Sequence, residues 1–201
     1  MIRVIRFLEY ISEYRGIILS KDERVETTVR TFRLNEEWDN ILKEEADNEQ
    51  ITVSQLLNQI VRRYIIAQRF FNHAQSVNIE YKLFSPILEM LSEEEISDFG
   101  KLVGASSVRE GIANRGLPLD FDSVDFLIEE VYDRYSGWFK CNTYKNGSEY
   151  VFNLRHMFGR KWSLFIDSFM GSMFMTLLDI TVSSEIYDDS VIIRMPIRQT
   201  K

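Results

Sequence analysis

The spacing of apolar residues changes several times along this chain, and each change marks an element. Residues 28–34 alternate as a short strand, with Phe32 and Leu34 on one side and Val29, Thr31 and Arg33 on the other. Asn35 followed by Glu36 and Glu37 gives a helix start, because a side-chain acceptor caps free amides and the helix dipole favours carboxylates there. Trp38, Ile41, Leu42 and Ala46 then recur at helical spacing. Asp47-Asn48-Glu49-Gln50 breaks the pattern. Thr52 or Ser54 caps a second helix carrying Val53, Leu56, Leu57, Ile60, Val61, Tyr64 and Ile65, which continues through Phe70 and Phe71 as a long connector.

Forty residues of this kind cannot cover both helices, and they leave one strand with two open edges. A second copy of the chain repairs both faults, its strand pairing antiparallel with this one while the helices interlock. In this respect the stretch resembles the ribbon-helix-helix fold of MetJ- and Arc-type repressors, in which a two-stranded ribbon enters the DNA major groove. The resemblance covers about a fifth of the chain and rests on pattern. It implies a homodimer, or a higher assembly, with DNA as partner. Val29, Arg30, Thr31 and Arg33 become the ribbon's DNA-binding residues, and Thr52, Val53 and Ser54 present backbone amides to a phosphate. Arg33 is suited to guanine and Thr31 to a thymine methyl. Two features depart from the family: Arg30 falls on the inward side, and the break between the helices has no glycine. The alternative reading is a helical hairpin that only dimerises, as in an interaction scaffold or antitoxin-like partner.

Beyond this module the chain reads as an α+β domain. Val77, Ile79, Tyr81 and Leu83 alternate as a strand, and residues 85–136 look helical. Ser92-Glu93-Glu94-Glu95 is a capping box for a helix bearing Ile96, Phe99, Leu102 and Val103, which Gly104 is expected to break. A short helix follows around Val108 to Ala113, stopped by Gly116 and Pro118. Asp120 or Asp122 caps the next, through Val124, Leu127, Ile128, Val131, Tyr132 and Tyr135, ending at Gly137. Trp138 to His156 reads as a hairpin about Asn146-Gly147. A helix from Arg160 and two strands, Ile180 to Ile186 and Val191 to Ile197, follow it. The organisation is therefore an extension (1–26), a ribbon-helix-helix module (27–75) and an α+β domain with a mainly antiparallel sheet (76–201). That order of elements is similar to the V4R and haem-NO-binding-like sensor family, which implies a small-ligand or dimerisation role, although the metal- and cluster-binding residues of those relatives are missing.

Charge narrows the choice of partners. The formal net charge of the 201 residues is −7, and residues 26–75 hold six basic and eight acidic side chains, net −2. Non-specific coating of nucleic acid is thereby disfavoured, so a DNA reader must gather its arginines on one face and lose affinity steeply with salt. Cys141 is the only cysteine, which precludes an intrachain disulfide and fits a cytoplasmic protein. No apolar run reaches membrane-spanning length, and no membrane partner is expected. Residues 1–25 carry Ile2, Ile5, Leu8 and Ile11 on one helical face, as a short helix packing on its own protein.

Chemistry-bearing motifs are few. Phosphate-cradling glycine loops, nucleophile elbows and paired metal-ligand spacings are absent, so no enzyme, cofactor or metal is expected. Cys141 and His156 lie on paired strands without a third catalytic partner, and His73 stands near a helix end. The sharpest local feature is the strand-to-helix turn at Gly159, where Arg155, Arg160, Lys161 and Ser163 form a candidate anion site at a helix N-terminus. The helix beyond it is rich in Phe and Met, suited either to an adaptable apolar pocket or to ordinary core.

Overall fold

The computed structural model describes residues 28–73 and 78–197; the extension at residues 1–26, and Val77 of the expected strand, lie outside the described residues. These residues belong to two compact units, which divide between residues 76 and 77.

In the first unit, α1 (Glu36–Asn48) is capped by Asn35, whose side-chain oxygen accepts from the Glu37 amide at 2.8 Å. Helix α2 begins as Val53–Arg63, widens through a π segment at Tyr64–Gln68 and ends as Arg69–His73. The break between them turns on Gln50, which takes a left-handed φ of 57° where glycine is the usual choice. The Ile51 amide closes the turn by donating to the Ala46 carbonyl at 2.9 Å. Residues 28–34, expected as a strand, carry no helix or strand in the single chain. A strand needs a neighbour for its backbone groups, and the expected neighbour belongs to another copy.

Among its described residues the second unit combines four helices with a four-stranded antiparallel sheet. Its elements are α3 (Tyr81–Met90), α4 (Glu93–Asn114), α5 (Phe121–Phe126, extended by a π segment at Leu127–Tyr135), β1 (Lys140–Asn146), β2 (Glu149–Arg155), α6 (Arg160–Leu178), β3 (Ser183–Ile186) and β4 (Ser190–Pro196). The strand order is β1-β2-β4-β3, every neighbouring pair antiparallel. The α+β class and the antiparallel sheet thus agree with the sequence pattern.

Helix α6 is the centre of this unit. Trp162, Phe165, Ile166, Phe169, Met170, Met173 and Phe174 are all buried, so it is apolar nearly all round, as a helix enclosed by other elements must be. One side meets the inner face of the sheet, where Phe174 packs on Phe152 with ring centroids 5.6 Å apart. Another crosses α4. Trp162 also lies stacked on Phe165, and its indole N–H donates to the Trp138 carbonyl at 2.9 Å, so a wide aromatic cluster is left with no unmatched donor there.

Two local expectations are corrected here. The alternation at Ile79, Tyr81 and Leu83 is not a strand: Tyr81 opens α3, and Ile79 lies just ahead of its N-cap. Positions 79, 83 and 87 satisfy an i, i+4 pattern as well as alternation, and the helix prevails because Phe84 and Leu88 then face inward, Phe84 against Trp162. Gly104 does not break its helix either, since α4 runs unbroken from Glu93 to Asn114 and absorbs the short helix expected near Val108. The glycine serves the crossing with α6: a Cβ at residue 104 would lie 2.3 Å from the Phe169 carbonyl oxygen, and one at Gly100 would lie 2.7 Å from that of Phe165.

Candidate nucleic-acid interface

The segment ahead of α1 presents Val29, Arg30, Thr31 and Arg33 to solvent, Val29 at 86% exposure. Phe32, expected on the inward side, is exposed as well, at 62%. Trp38 and Ile41 on α1 and Ile60, Val61 and Tyr64 on α2 are exposed too, while Ala46, Leu56, Ile66 and Ala67 are the buried apolar residues among those described in this unit. An apolar surface this open on two amphipathic helices is the mark of a surface meant to be covered.

At the start of α2, Thr52 is the cap. Its hydroxyl accepts from the Gln55 amide at 3.2 Å while the Gln55 side chain accepts from the Thr52 amide at 2.8 Å, a complete capping box. Helical geometry leaves the amides of Val53 and Ser54 without an intrahelical acceptor, and Ser54 is exposed. This end of α2 can therefore receive an anion, with Thr52 fixing the backbone rather than contacting the ligand through its side chain. The carboxylates of Glu36, Glu37 and Asp39 occupy the first turn of α1, and Asp39 is answered by Lys43, whose ammonium it holds above its ordinary range through a hydrogen bond and its charge.

The strand-to-helix turn of the second unit disperses its cations. Gly159, at a φ of 79°, makes a corner that a residue with a Cβ adopts only under strain. Lys161 swings away to the end of α3, donating to the Glu89 carbonyl at 2.8 Å and pairing with its carboxylate at 3.2 Å. Arg160 stands 3.7 Å from Glu93 and 3.9 Å from Asp188. Arg155 ends β2, exposed, and Ser163 is fully buried. Three of the four residues grouped by sequence, Arg160, Lys161 and Ser163, thus point to different partners, and the group does not converge on one anion site.

His156 and Ser163 meet at 2.9 Å, but the geometry runs against nucleophilic catalysis. The Phe158 amide donates to His156 Nδ1 at 3.2 Å, so the neutral ring carries its proton on Nε2 and donates it to the Ser163 hydroxyl. A general base has to accept that proton instead. Burial pushes the ring's pKa down to about 4, against a small opposing pull from Asp189. In an unfolded chain the ring titrates near 6.5, so between these two values the unfolded state binds more protons and stability rises with pH. Because the ring is only half-buried and solvent screens it, acidification across this window should cost about 1 kcal/mol. Urea melts of the wild-type chain and His156→Gln at both pH limits measure this; equal losses in the two proteins would remove the assignment.

Cys141 pairs with Leu154 across the hairpin and contacts Thr143 at 3.4 Å. Burial pushes its thiol up to about 12, which makes it a poor nucleophile and a poor metal ligand. Among the described residues no three His, Cys, Asp or Glu side chains cluster as a metal site, and no helix is long and apolar enough to cross a membrane.

Asp133 escaped the sequence reading. Its carboxylate accepts from the Cys141 amide at 2.9 Å and from Lys140 at 3.0 Å, fastening the outer edge of β1 to the π segment. An aspartate near a helix end gives no sequence signal for a tie to the strand that follows.

No family model matches the chain, and no curated protein matches it.

Proposed function

We propose that this chain is a dimeric, sequence-specific DNA-binding regulator of the ribbon-helix-helix kind, working in the cytoplasm without catalysis. In this reading residues 27–75 form the DNA-binding and dimerisation module, and residues 76–201 add contacts between copies or sense a small ligand. The observation that carries the proposal is the solvent-facing apolar set Phe32, Trp38, Ile41 and Ile60, together with the exposed Arg30, Thr31 and Arg33 just ahead of α1 in the chain. A second copy covers the first group and pairs the second into a ribbon, which explains both with one step. Thr52, Val53 and Ser54 then set α2 on a phosphate. The net charge of −2 over residues 26–75 favours the competing reading, a dimeric interaction scaffold, and the same experiment decides between them.

Selection from a random DNA pool should enrich a site with two-fold symmetry. On that site Arg33→Ala should lose about 1–3 kcal/mol for each specific base contact and relax preference at the matching base pair. Ser54→Ala should instead weaken all sequences alike. If no sequence is enriched, or Arg33→Ala binds the enriched site as well as the wild type, the ribbon does not read DNA and the scaffold reading replaces it.

A further inference from the structure

The exposed side of α3 carries a second apolar surface, far from Arg33 in sequence. Leu83, Ile87 and Met90 are 65%, 48% and 82% exposed, and Pro86 is exposed between them. At about 100° per residue these four fall within one narrow arc, with Lys82 and Glu89 together along a single flank of it. The helix is ten residues long with Pro86 inside it, which removes one amide donor from an already short element. Packing must therefore hold it: Phe84 and Leu88 face the core, Tyr81 meets Phe158 edge-on at 5.0 Å and Lys161 ties its last turn, while the stripe on the opposite side is left open.

We propose that this stripe is a second contact between two copies of the chain, the two α3 helices lying antiparallel across a two-fold axis near Ser85 and Pro86. The assignment rests on the dimer proposed above. A two-fold contact must be complementary to itself, and the charges of α3 are so only in the antiparallel sense. Lys82 and Glu89 share a flank, so reversal sets each Lys82 beside the partner's Glu89, twice over. Glu89 already pairs with Lys161, but its side chain is still 65% exposed and can accept further donors. Area decides the rest. One face of a ten-residue helix covers at most a few hundred Å², under the roughly 800 Å² per partner of a free-standing complex. The stripe is too small to hold two free chains together. It suffices for chains that the amino-terminal module already joins, where the effective concentration reaches about the millimolar range.

Cysteine cross-linking of the full chain tests this. With the axis between residues 85 and 86, copies of residue 87 are offset by about 4.5 Å along the helices and copies of residue 90 by about 13.5 Å. A disulfide tolerates the first and not the second. Ile87→Cys should therefore form a covalent dimer on mild oxidation roughly ten-fold faster than Met90→Cys; the wild-type chain, with its inert Cys141, is the control. Equal rates at both positions would overturn the antiparallel pairing. No cross-link at either, in chains that light scattering shows to be dimers, overturns the α3 contact and leaves the module dimer standing. A monomer by light scattering removes both.

Discussion

Gly104→Val should cost the carboxy-terminal unit about 3 kcal/mol or more, enough to leave much of it unfolded near physiological temperature. The added Cβ would meet the Phe169 carbonyl oxygen at 2.3 Å and the Phe169 carbon and Cα at 3.1 Å. These are backbone atoms of a buried helix, so no side chain can rotate out of the way. Either α4 moves off α6, opening the apolar seam along Phe165 and Phe169, or the helix bends. Intrinsic propensity runs the other way, since most residues suit a helix interior better than glycine by up to about 1 kcal/mol. Gly171→Ala isolates that term: its methyl meets nothing within 4 Å, and it should raise stability by roughly 0.5–1 kcal/mol. Thermal melts of the two variants should move in opposite directions. A Gly104→Val chain that melts with the wild type would mean that the helices do not cross as closely as described.

The second large effect is expected from Phe32→Asp. In the single chain this ring is 62% exposed, so the substitution touches little within one copy. In the proposed dimer it places two carboxylates inside the shared core, each costing several kcal/mol unless it picks up a proton. Dissociation should follow at micromolar concentration, and light scattering should report a monomer. Val29→Asp, whose side chain faces away from that core in the ribbon, should leave the assembly intact and serves as the companion measurement. A Phe32→Asp chain that still dimerises would show that the ribbon core is not where the copies meet.

Where the controlling forces are local, the sequence was enough. Asn146-Gly147 predicts a tight hairpin, and a two-residue turn is present one position later, at Gly147 and Ser148, with Gly147 at a φ of 60° and Asn146 still paired with Glu149 as the last residue of β1. Ser92 and Glu95 predict a capping box, and both of its hydrogen bonds are present. Helix α6 is legible because seven buried apolar side chains cannot be placed otherwise. Gly104 was misread for the opposite reason: glycine within a helix signals a break unless another backbone needs the room, and that backbone is about 65 residues further on. The two π segments have no local signature at all. At the candidate interface, the Thr52 cap could be read from Thr52 and Gln55, but pairing of residues 28–34 depends on an edge that one chain does not contain. The turn at Gly159 grouped Arg155, Arg160, Lys161 and Ser163 by sequence, while Glu89, Glu93, Asp188 and His156, all distant or opposed, decided where three of those side chains went.

The strand order has a consequence for how the protein is made. Ribosomes deliver β1, β2, α6 and β3 before β4, yet β4 is the strand that lies between β2 and β3. Until residue 196 has emerged, β2 keeps one edge open and β3 has no strand to pair with, while the apolar residues of α6 wait for the half of the sheet that shields them. A nascent chain in that interval exposes both a strand edge and a large aromatic surface, the two features that recruit chaperones and seed aggregation. The sheet closes late and in one stroke, by the insertion of its last-made strand.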